Sequence, residues 1–300
     1  MHILLCGADG FIGRHLEKAL RREGHRVTAA VSARSRRAAR AGADPVAVVD
    51  FVRDVRPADW LPRLHGVDAV VNAVGVLRDS PARPIDAVHV RAPVALFDAC
   101  ADAGVRRVVH IAALGIDGGA SRYAETKRAA EAHLLALDED GDLDAVSLRP
   151  SIVFGRGGSS SALFMALARL PVLPLPATLL DARIQPVSVH DLADTVAALL
   201  DRADDVRGIV ECGGPEALSL GEFIASLRHQ LGLPPARVLR LSDRVAEGAA
   251  RLGDRLPGVP WCSDTLAMLA SDNVVRDEGI ASLIGRVPAH HRELVTLAWN

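Results

Sequence analysis

Residues 2–6, His-Ile-Leu-Leu-Cys, form a short apolar run, the pattern of a strand buried on both faces of a sheet. From Phe11 the apolar spacing becomes helical, with Ile12, Leu16, Ala19 and Leu20 on one side. Gly24 ends that pattern and residues 25–31 read as a second strand. Further apolar runs predict strands at 45–49, 67–71, 107–113 and 143–148. Between them lie a short amphipathic turn at 60–64, a helix that carries Pro93 near its start and stops at Gly104, and a helix over 121–137. Strands alternating with helices predict an α/β fold built on a doubly wound parallel sheet with right-handed crossovers. After Gly155 the regularity falls. A proline-punctuated apolar stretch fills 162–180. A short strand is expected at 185–189, a helix from Asp191, a strand at 209–212, and a helix to about residue 231 opened by the capping box Ser219/Glu222. We therefore expect a domain at 1–155 and a smaller C-terminal lobe, 156–300, packed on the sheet's carboxyl edge, the two forming one continuous unit.

The turn between the first strand and helix carries Gly7, Gly10 and Gly13 at three-residue spacing. Strand, glycine turn, helix and strand within about 30 residues make the Rossmann-type unit that binds dinucleotides. Gly7 allows the sharp turn, Gly10 the approach of a pyrophosphate, and Gly13 the close packing of helix on strand. The free N–H groups and the dipole at the helix start attract the phosphate charge. A tight turn with no ligand would need the same glycines, but the context favours the nucleotide. Asp9 sits in this loop, where it serves to cap the turn.

The end of the second strand refines the expected ligand. An NAD-preferring protein usually has an acidic residue there for the ribose 2′-hydroxyl. This chain reads Ser32-Ala33-Arg34-Ser35-Arg36-Arg37, with Arg40 beyond. Such a run suits the 2′-phosphate of NADP, although a solvated arginine face would look alike. Asp50, closing the third strand, is placed for an adenine amino group. Asn72-Ala73-Val74-Gly75 is a small-residue turn that can pass under a cofactor.

Composition excludes several classes. With 49% apolar and 24% charged residues and a net charge of -2, the chain has material for a core and no basic surface for nucleic acid. The stretch 162–180 contains Arg169, Pro171, Pro174 and Pro176, which a membrane-spanning helix tolerates poorly. No signal peptide precedes the first strand, and Cys6, Cys100, Cys212 and Cys262 have no metal spacing, so a cytoplasmic protein with reduced thiols is expected. The sequence leaves the oligomeric state open.

The chain has one tyrosine and only two lysines among its 35 basic residues. Tyr123 and Lys127 stand one helical turn apart on one face. A cation beside a phenol lowers its pKa, so Tyr123 is the candidate acid/base for a carbinol or carbonyl, with Lys127 also able to reach a nicotinamide ribose. Arg156, Arg183 and His190 are weaker candidates, more simply read as surface charge and a helix-start histidine.

Gly7-x-x-Gly10-x-x-Gly13, Asn72-Ala73-Val74-Gly75, Tyr123-x-x-x-Lys127 and Leu148-Arg149-Pro150-Ser151-Ile152-Val153-Phe154-Gly155 resemble, in order and spacing, the short-chain dehydrogenase/reductase superfamily. The extended or atypical branch, near the NAD-dependent epimerase/dehydratase proteins, fits best. Gln185 to Ala193 and Cys212-Gly213-Gly214-Pro215 also match it, and in detail the chain is similar to bacterial relatives of the nucleotide-binding accessory subunit of respiratory complex I. The resemblance covers residues 1 to about 230 well. It implies NADP (or NAD) held by Gly7, Asp9, Gly10, Phe11, Ile12, Gly13, Arg34, Arg36, Asp50, Ala73, Val74, Gly75, Tyr123, Lys127, Pro150 and Ile152. It also implies Tyr123 as acid/base and an unknown small-molecule substrate. The superfamily further expects a serine or threonine at the end of the fifth strand. Here that place reads Ile111-Ala112-Ala113-Leu114, and Ser121 and Ser151 lie near but off the position. Two readings follow: an oxidoreductase or epimerase-like enzyme on a carbonyl or sugar-like substrate, or a non-catalytic NADPH-binding scaffold or redox sensor.

Overall fold

The computed structural model describes residues 1–35, 45–201, 206–254, 266, 273–276 and 279–299. Arg36, Arg37, Arg40 and Cys262 lie outside them.

Seven parallel strands form the central sheet: β1 (His2–Cys6), β2 (Arg26–Val31), β3 (Val46–Val48), β4 (Ala69–Asn72), β5 (Arg107–Ile111), β6 (Asp144–Pro150) and an edge strand from the second half of the chain. After β6 come four short strands, β7 (Val153–Phe154), β8 (Val172–Pro176), β9 (Arg183–Ile184) and β10 (Val187–Ser188), and then β11 (Gly208–Cys212), which returns to pair with β6. The order across the sheet is β11-β6-β5-β4-β1-β2-β3. The strand expected at 185–189 is the two-residue β10, which starts only after Pro186, a residue with no N–H to give a ladder.

One face of the sheet is covered by α1 (Phe11–Arg22), which supplies Leu16, Ala19 and Leu20 to an apolar layer shared with β1 and β2. The opposite layer begins with the short α2 (Pro57–Trp60) and continues through α3 (Ala92–Ala103) and α4 (Arg122–Glu139). Trp60, Leu96, Phe97 and Leu134 pack there on Leu4, Val70 and Val108. After β7 run α5 (Ser159–Arg169), α6 (Ala177–Asp181) and α7 (Val189–Asp201). The last lies beside α1, with Leu192, Val196 and Leu199 in the first layer. This helix starts at Val189, two residues before the expected Asp191, because the Ser188 hydroxyl accepts the His190 N–H (3.1 Å). Thus α7 and β11, both beyond Gly155, complete the sheet layer. The expected doubly wound α/β architecture is present.

The rest of the second half forms a third apolar cluster. Phe154, Phe164, Leu175, Leu180 and Ile184 pack there on Phe223 and Leu227 of α8 (Leu220–Gln230) and on Leu294. The capping box expected at Ser219/Glu222 is present, with both reciprocal bonds made (2.7 and 3.2 Å). The helix α9 (Asp243–Asp254) follows. No helix among the described residues is long and apolar enough to cross a membrane.

Candidate active site

The strand order reverses between β1 and β4. The chain leaves β1 toward β2 and β3, then returns through β4 toward β5 and β6. At such a reversal the loops beyond the carboxyl ends diverge and leave a crevice, the usual ligand position in open α/β sheets. The glycine loop after β1 and the small-residue turn after β4 face each other there. Gly7 has φ +84°, and a Cβ on it would lie 3.1 Å from the Ala73 carbonyl and from Val74 Cγ2. A Cβ on Gly13 would fall 2.0 Å from the Gly7 carbonyl oxygen, so only glycine lets α1 sit this close to β1. Gly10 is the N-cap of α1 and has no side chain to occupy the first amide groups, which a charged ligand can then use. Asp9 is exposed, and its carbonyl accepts from Arg14 (2.9 Å). Phe11 and Ile12 are half-buried.

The β4 turn is fixed by Asn72, fully buried. Its Oδ1 accepts the Val74 N–H (3.1 Å) and its Nδ2 meets His110 Nδ1 (3.2 Å). Two residues on, Val76 N–H donates to His89 Nε2 (2.9 Å). Nε2 is therefore the acceptor, so Nδ1 carries the proton and donates to Thr126 Oγ1 (3.0 Å), which donates in turn to the carbonyl of Arg122 (2.9 Å). Burial, with the Lys127 charge adding to it, pushes His89 down to about 3, so the ring is neutral. His89 sits in the π-helical turn Ala87–Arg91, which runs into α3.

Lys127 is 3% exposed and donates from Nζ to the carbonyl of Ile111 (2.8 Å). A Cβ on Gly75 would lie 3.7 Å from Nζ, so the ammonium stands beside the backbone of the β4 turn. Desolvation lowers Lys127 to about 8, while Glu131, one turn on and also buried, opposes the shift. Glu131 is held by Ser147 and by Arg149, whose Nε donates to Oε1 (2.8 Å). Arg149 also forks onto Asp117 (2.8 and 3.0 Å).

Tyr123 lies half-buried with its ring edge-on to His89 (centroids 5.3 Å apart). It lines a cleft together with Leu114, Ile116, Ser121, Ala124 and Asn273. The phenol pKa is not lowered by Lys127. Burial raises it to about 12, with no contribution from the ammonium. The phenol is a protonated group at neutral pH, contrary to the expectation of a poised phenolate.

The other anticipated residues fall as follows. Arg34 is exposed just past β2, and Arg36 lies outside the described residues. Asp50 is exposed beyond β3, where its carboxylate accepts the Val52 N–H (2.9 Å). Pro150 ends β6 and Ile152 follows it, half-buried. Ser151 is committed elsewhere, donating to the Asn273 carbonyl (2.8 Å) and accepting from Gln185 N–H (3.2 Å). Ser121 caps α4 by accepting from Ala124 N–H (3.2 Å). His190 stacks edge-on with His15 (5.1 Å), and Arg183 donates to Ala217 O (2.9 Å). Arg156 is exposed, and its carbonyl lies 3.4 Å from His15 Nε2. Ala112 is buried against Ile116 and Ala124, with Ala113 packed on the same cluster. His89, Thr126, Glu131 and Asn273 were not anticipated. The available signal was weak: His89 stands in an apolar run and Glu131 one turn beyond Lys127, both compatible with ordinary core or helix positions.

A crevice at the reversal of a parallel sheet, a glycine loop opening α1, and a tyrosine and lysine one turn apart on α4 define a dinucleotide-binding α/β protein. The model for the "NAD dependent epimerase/dehydratase family" matches residues 3–213, and the chain belongs to that family. It is 28% identical over 252 residues to "Ceramide reductase" of Caulobacter vibrioides, covering 80% of this chain and 74% of that protein. It is 25% identical over 258 residues to "UDP-glucose 4-epimerase" of Vibrio cholerae, covering 77% and 76%. Among solved structures, "MoeE5 in complex with UDP-glucose and NAD" superposes with a TM-score of 0.72 at 22% identity, over 99% of this chain and 97% of that one.

Proposed function

We propose that this protein is a nicotinamide-dinucleotide-dependent oxidoreductase that reduces a carbonyl carbon in the cleft beside Tyr123. The observation that carries the reading is the placement of Tyr123 on that cleft while Lys127, one turn away, stands beside Gly75 at the sheet's reversal point. The residues present suit a dinucleotide. Gly7 to Gly13 leave room and free amides for a pyrophosphate, the Ala73–Gly75 turn offers backbone, and Lys127 offers a cation to a ribose. The nicotinamide, when bound, supplies the hydride. As the new C–H bond forms, the carbonyl π pair moves onto oxygen, and Tyr123 gives its phenolic proton to that oxygen. Solvent in the cleft then restores the proton to the phenolate. A phenol with its pKa near 12 holds its proton until the substrate oxygen becomes basic. The C. vibrioides relative is a reductase by name, and the apolar wall of Leu114, Ile116 and Ala124 suits a carbonyl flanked by hydrocarbon.

NADPH is the preferred cofactor in this reading. Arg34 is exposed at the end of β2, where the chain has no carboxylate, and Arg36 belongs to the same run. Three buried free thiols, Cys6, Cys100 and Cys212, favour a reducing compartment, and we assign the protein to the cytoplasm. Fluorescence titration tests the cofactor assignment. NADPH should bind at least about tenfold more tightly than NADH, the value of one charge-assisted contact. Arg34→Ala with Arg36→Ala should remove the difference. Equal affinities in the unaltered protein reject the preference. The second reading, a scaffold or sensor that holds NADPH without turnover, draws on Ala112 and Ala113. A screen of carbonyl compounds for NADPH oxidation separates the two.

A further inference from the structure

Glu216 follows β11, while His290 and His291 precede the C-terminal helix Leu294–Trp299. Their side chains nonetheless converge. His290 Nε2 is 2.9 Å and His291 Nε2 3.4 Å from the same oxygen, Glu216 Oε2, and the three atoms lie within 4.8 Å of one another. None of these residues belongs to the set around Tyr123.

We propose that Glu216, His290 and His291 form a binding site for one divalent ion of the zinc class, with water completing the coordination. Zinc bound at about 2.0–2.1 Å by tetrahedrally disposed nitrogen and oxygen ligands sets those ligands roughly 3.3–3.4 Å apart. The two carboxylate–imidazole separations lie close to that value and the ligand atoms all lie within 4.8 Å of one another, so side-chain adjustment without backbone movement can bring the three onto one ion. Two imidazoles and one carboxylate, with no thiolate, are a donor set for zinc rather than for calcium or magnesium, which take oxygen ligands.

The surroundings hold the ligands in place. Ser226 Oγ sits 2.8 Å from His291 Nδ1, and a hydroxyl accepts from a protonated Nδ1 as readily as it donates to a bare one. It is therefore compatible with the tautomer whose Nε2 lone pair faces the site, the outer-shell arrangement that orients metal-ligating histidines. The backbone on both sides is pinned. Asp191 accepts the Ala289 N–H (2.8 Å), Gln230 donates to the His291 carbonyl (3.0 Å), and Gln230 accepts the Val295 N–H (2.9 Å). His291 is buried while Glu216 and His290 are 53% and 34% exposed, so the ion has a path in and a solvent-facing side. Binding requires one concession. His290 Nδ1 accepts the Arg292 N–H (3.2 Å), and this contact opens when the His290 proton moves from Nε2 to Nδ1. The ion would clip the C-terminal segment to the loop after β11.

The test uses the full chain stripped with a chelator and then titrated with zinc chloride by calorimetry, or with cobalt(II) chloride by visible absorption. We expect one saturable equivalent, tetrahedral cobalt bands and a raised Tm in zinc. His290→Gln and Glu216→Gln should each weaken binding at least tenfold and abolish the Tm rise. Their metal-free circular dichroism and NADPH affinity should match those of the unaltered protein. Absence of a saturable equivalent in the unaltered chain overturns the site. So does unchanged zinc affinity in both folded variants, which would place the metal elsewhere.

Discussion

Lys127 Nζ donates to the carbonyl oxygen of Ile111 at 2.8 Å, tying α4 to the end of β5. The bond explains two features together. It keeps a buried ammonium solvated by a backbone oxygen, and it draws that ammonium toward the strand end rather than toward the Tyr123 phenol. The alanines that follow Ile111 continue in extended pairing with β6, Ala112 N–H donating to Leu148 O (2.8 Å) and Leu114 N–H to Pro150 O (2.9 Å). Lys127 thus reports on the strand end that carries the missing hydroxyl.

Two glycines separate ligand binding from folding. A Cβ on Gly10 would meet the Gly7 carbonyl oxygen at 3.0 Å, a contact that a small shift relieves, while the remaining methyls of a valine would project toward the phosphate position. Gly10→Val should abolish nucleotide binding and leave circular dichroism near normal. A Cβ on Gly13 meets the backbone of Gly7 and Ala8 at 2.0–2.9 Å, with nothing flexible to yield. Gly13→Ala should therefore lower Tm as well. A Gly10→Val protein that still binds NADPH would place the ligand elsewhere.

His89 is the clamp between the β4 turn and α4. Replacing it by leucine leaves the Val76 N–H and Thr126 without their partner, at about 1–3 kcal/mol for a buried unsatisfied group. It also frees the turn that ends next to Lys127. His89→Leu should lower stability in urea by that amount and weaken NADPH binding, whereas His89→Gln, whose carboxamide can still accept the Val76 N–H, should recover part of both. Equal loss in the two variants would mean that ring packing, not the hydrogen bond, matters.

Periodicity reveals the sheet because each parallel strand is short, apolar and bounded by glycine or a helix pattern. β1 matches its expected limits, and β2, β5 and β6 match within two residues. The glycine loop and the Tyr123–Lys127 pair are legible for the same reason, being local in sequence. What is not legible depends on distant partners. The carbonyl that accepts the Lys127 hydrogen bond lies 16 residues away, and Asn273 reaches the Tyr123 cleft from far down the chain, donating to Leu114 O at 3.1 Å. The direction of the Tyr123 shift also escaped, since helical spacing sets which residues share a face but not how deeply the face is buried.

Stability should fall steeply above pH 9. Burial raises the thiol of Cys6 from 9.0 to about 12 and those of Cys100 and Cys212 further still. Below pH 9 these thiols are protonated whether the chain is folded or not, so their contribution is intact. Above it the unfolded chain releases protons that the native state keeps, and each such proton costs the fold about 1.4 kcal/mol per pH unit. Lys127 works the other way. Its folded value of about 8 lies below the ordinary 10.5, so between those limits the unfolded chain holds the extra proton and stability gains with pH. Three thiols outweigh one ammonium, and the net slope between pH 9 and 10.5 is negative. Urea unfolding at pH 8, 9 and 10 checks this. Cys100→Ala should be less stable at pH 8 but lose stability with pH more slowly, by roughly one proton's slope. A flat profile would contradict the burial of the thiols.

The alanines at the end of β5 decide between enzyme and scaffold. In the proposed reduction Tyr123 gives a proton to the substrate oxygen, and a second donor from the strand end would share the developing charge. Losing a donor that acts mainly in the transition state typically slows a reaction about 100- to 1000-fold. The unaltered protein should therefore reduce carbonyl compounds slowly while binding NADPH normally. The two positions are not equivalent hosts for a hydroxyl. Ala112 is 4% exposed and packed on Ile116 and Ala124, so Ala112→Ser buries an unpaired hydroxyl at a cost of about 1–3 kcal/mol. Ala113 is half-buried and has more access to solvent and ligand. Ala113→Ser should raise turnover, and the gain should vanish in a Tyr123→Phe background because the two groups act on one oxygen as a unit. Single-turnover rates with saturating NADPH separate this from a change in cofactor affinity. If the unaltered protein already turns over quickly and Tyr123→Phe does not slow it, the proton comes from another group. Ser151 is unsuited to that role, since its hydroxyl is spent between Asn273 and Gln185.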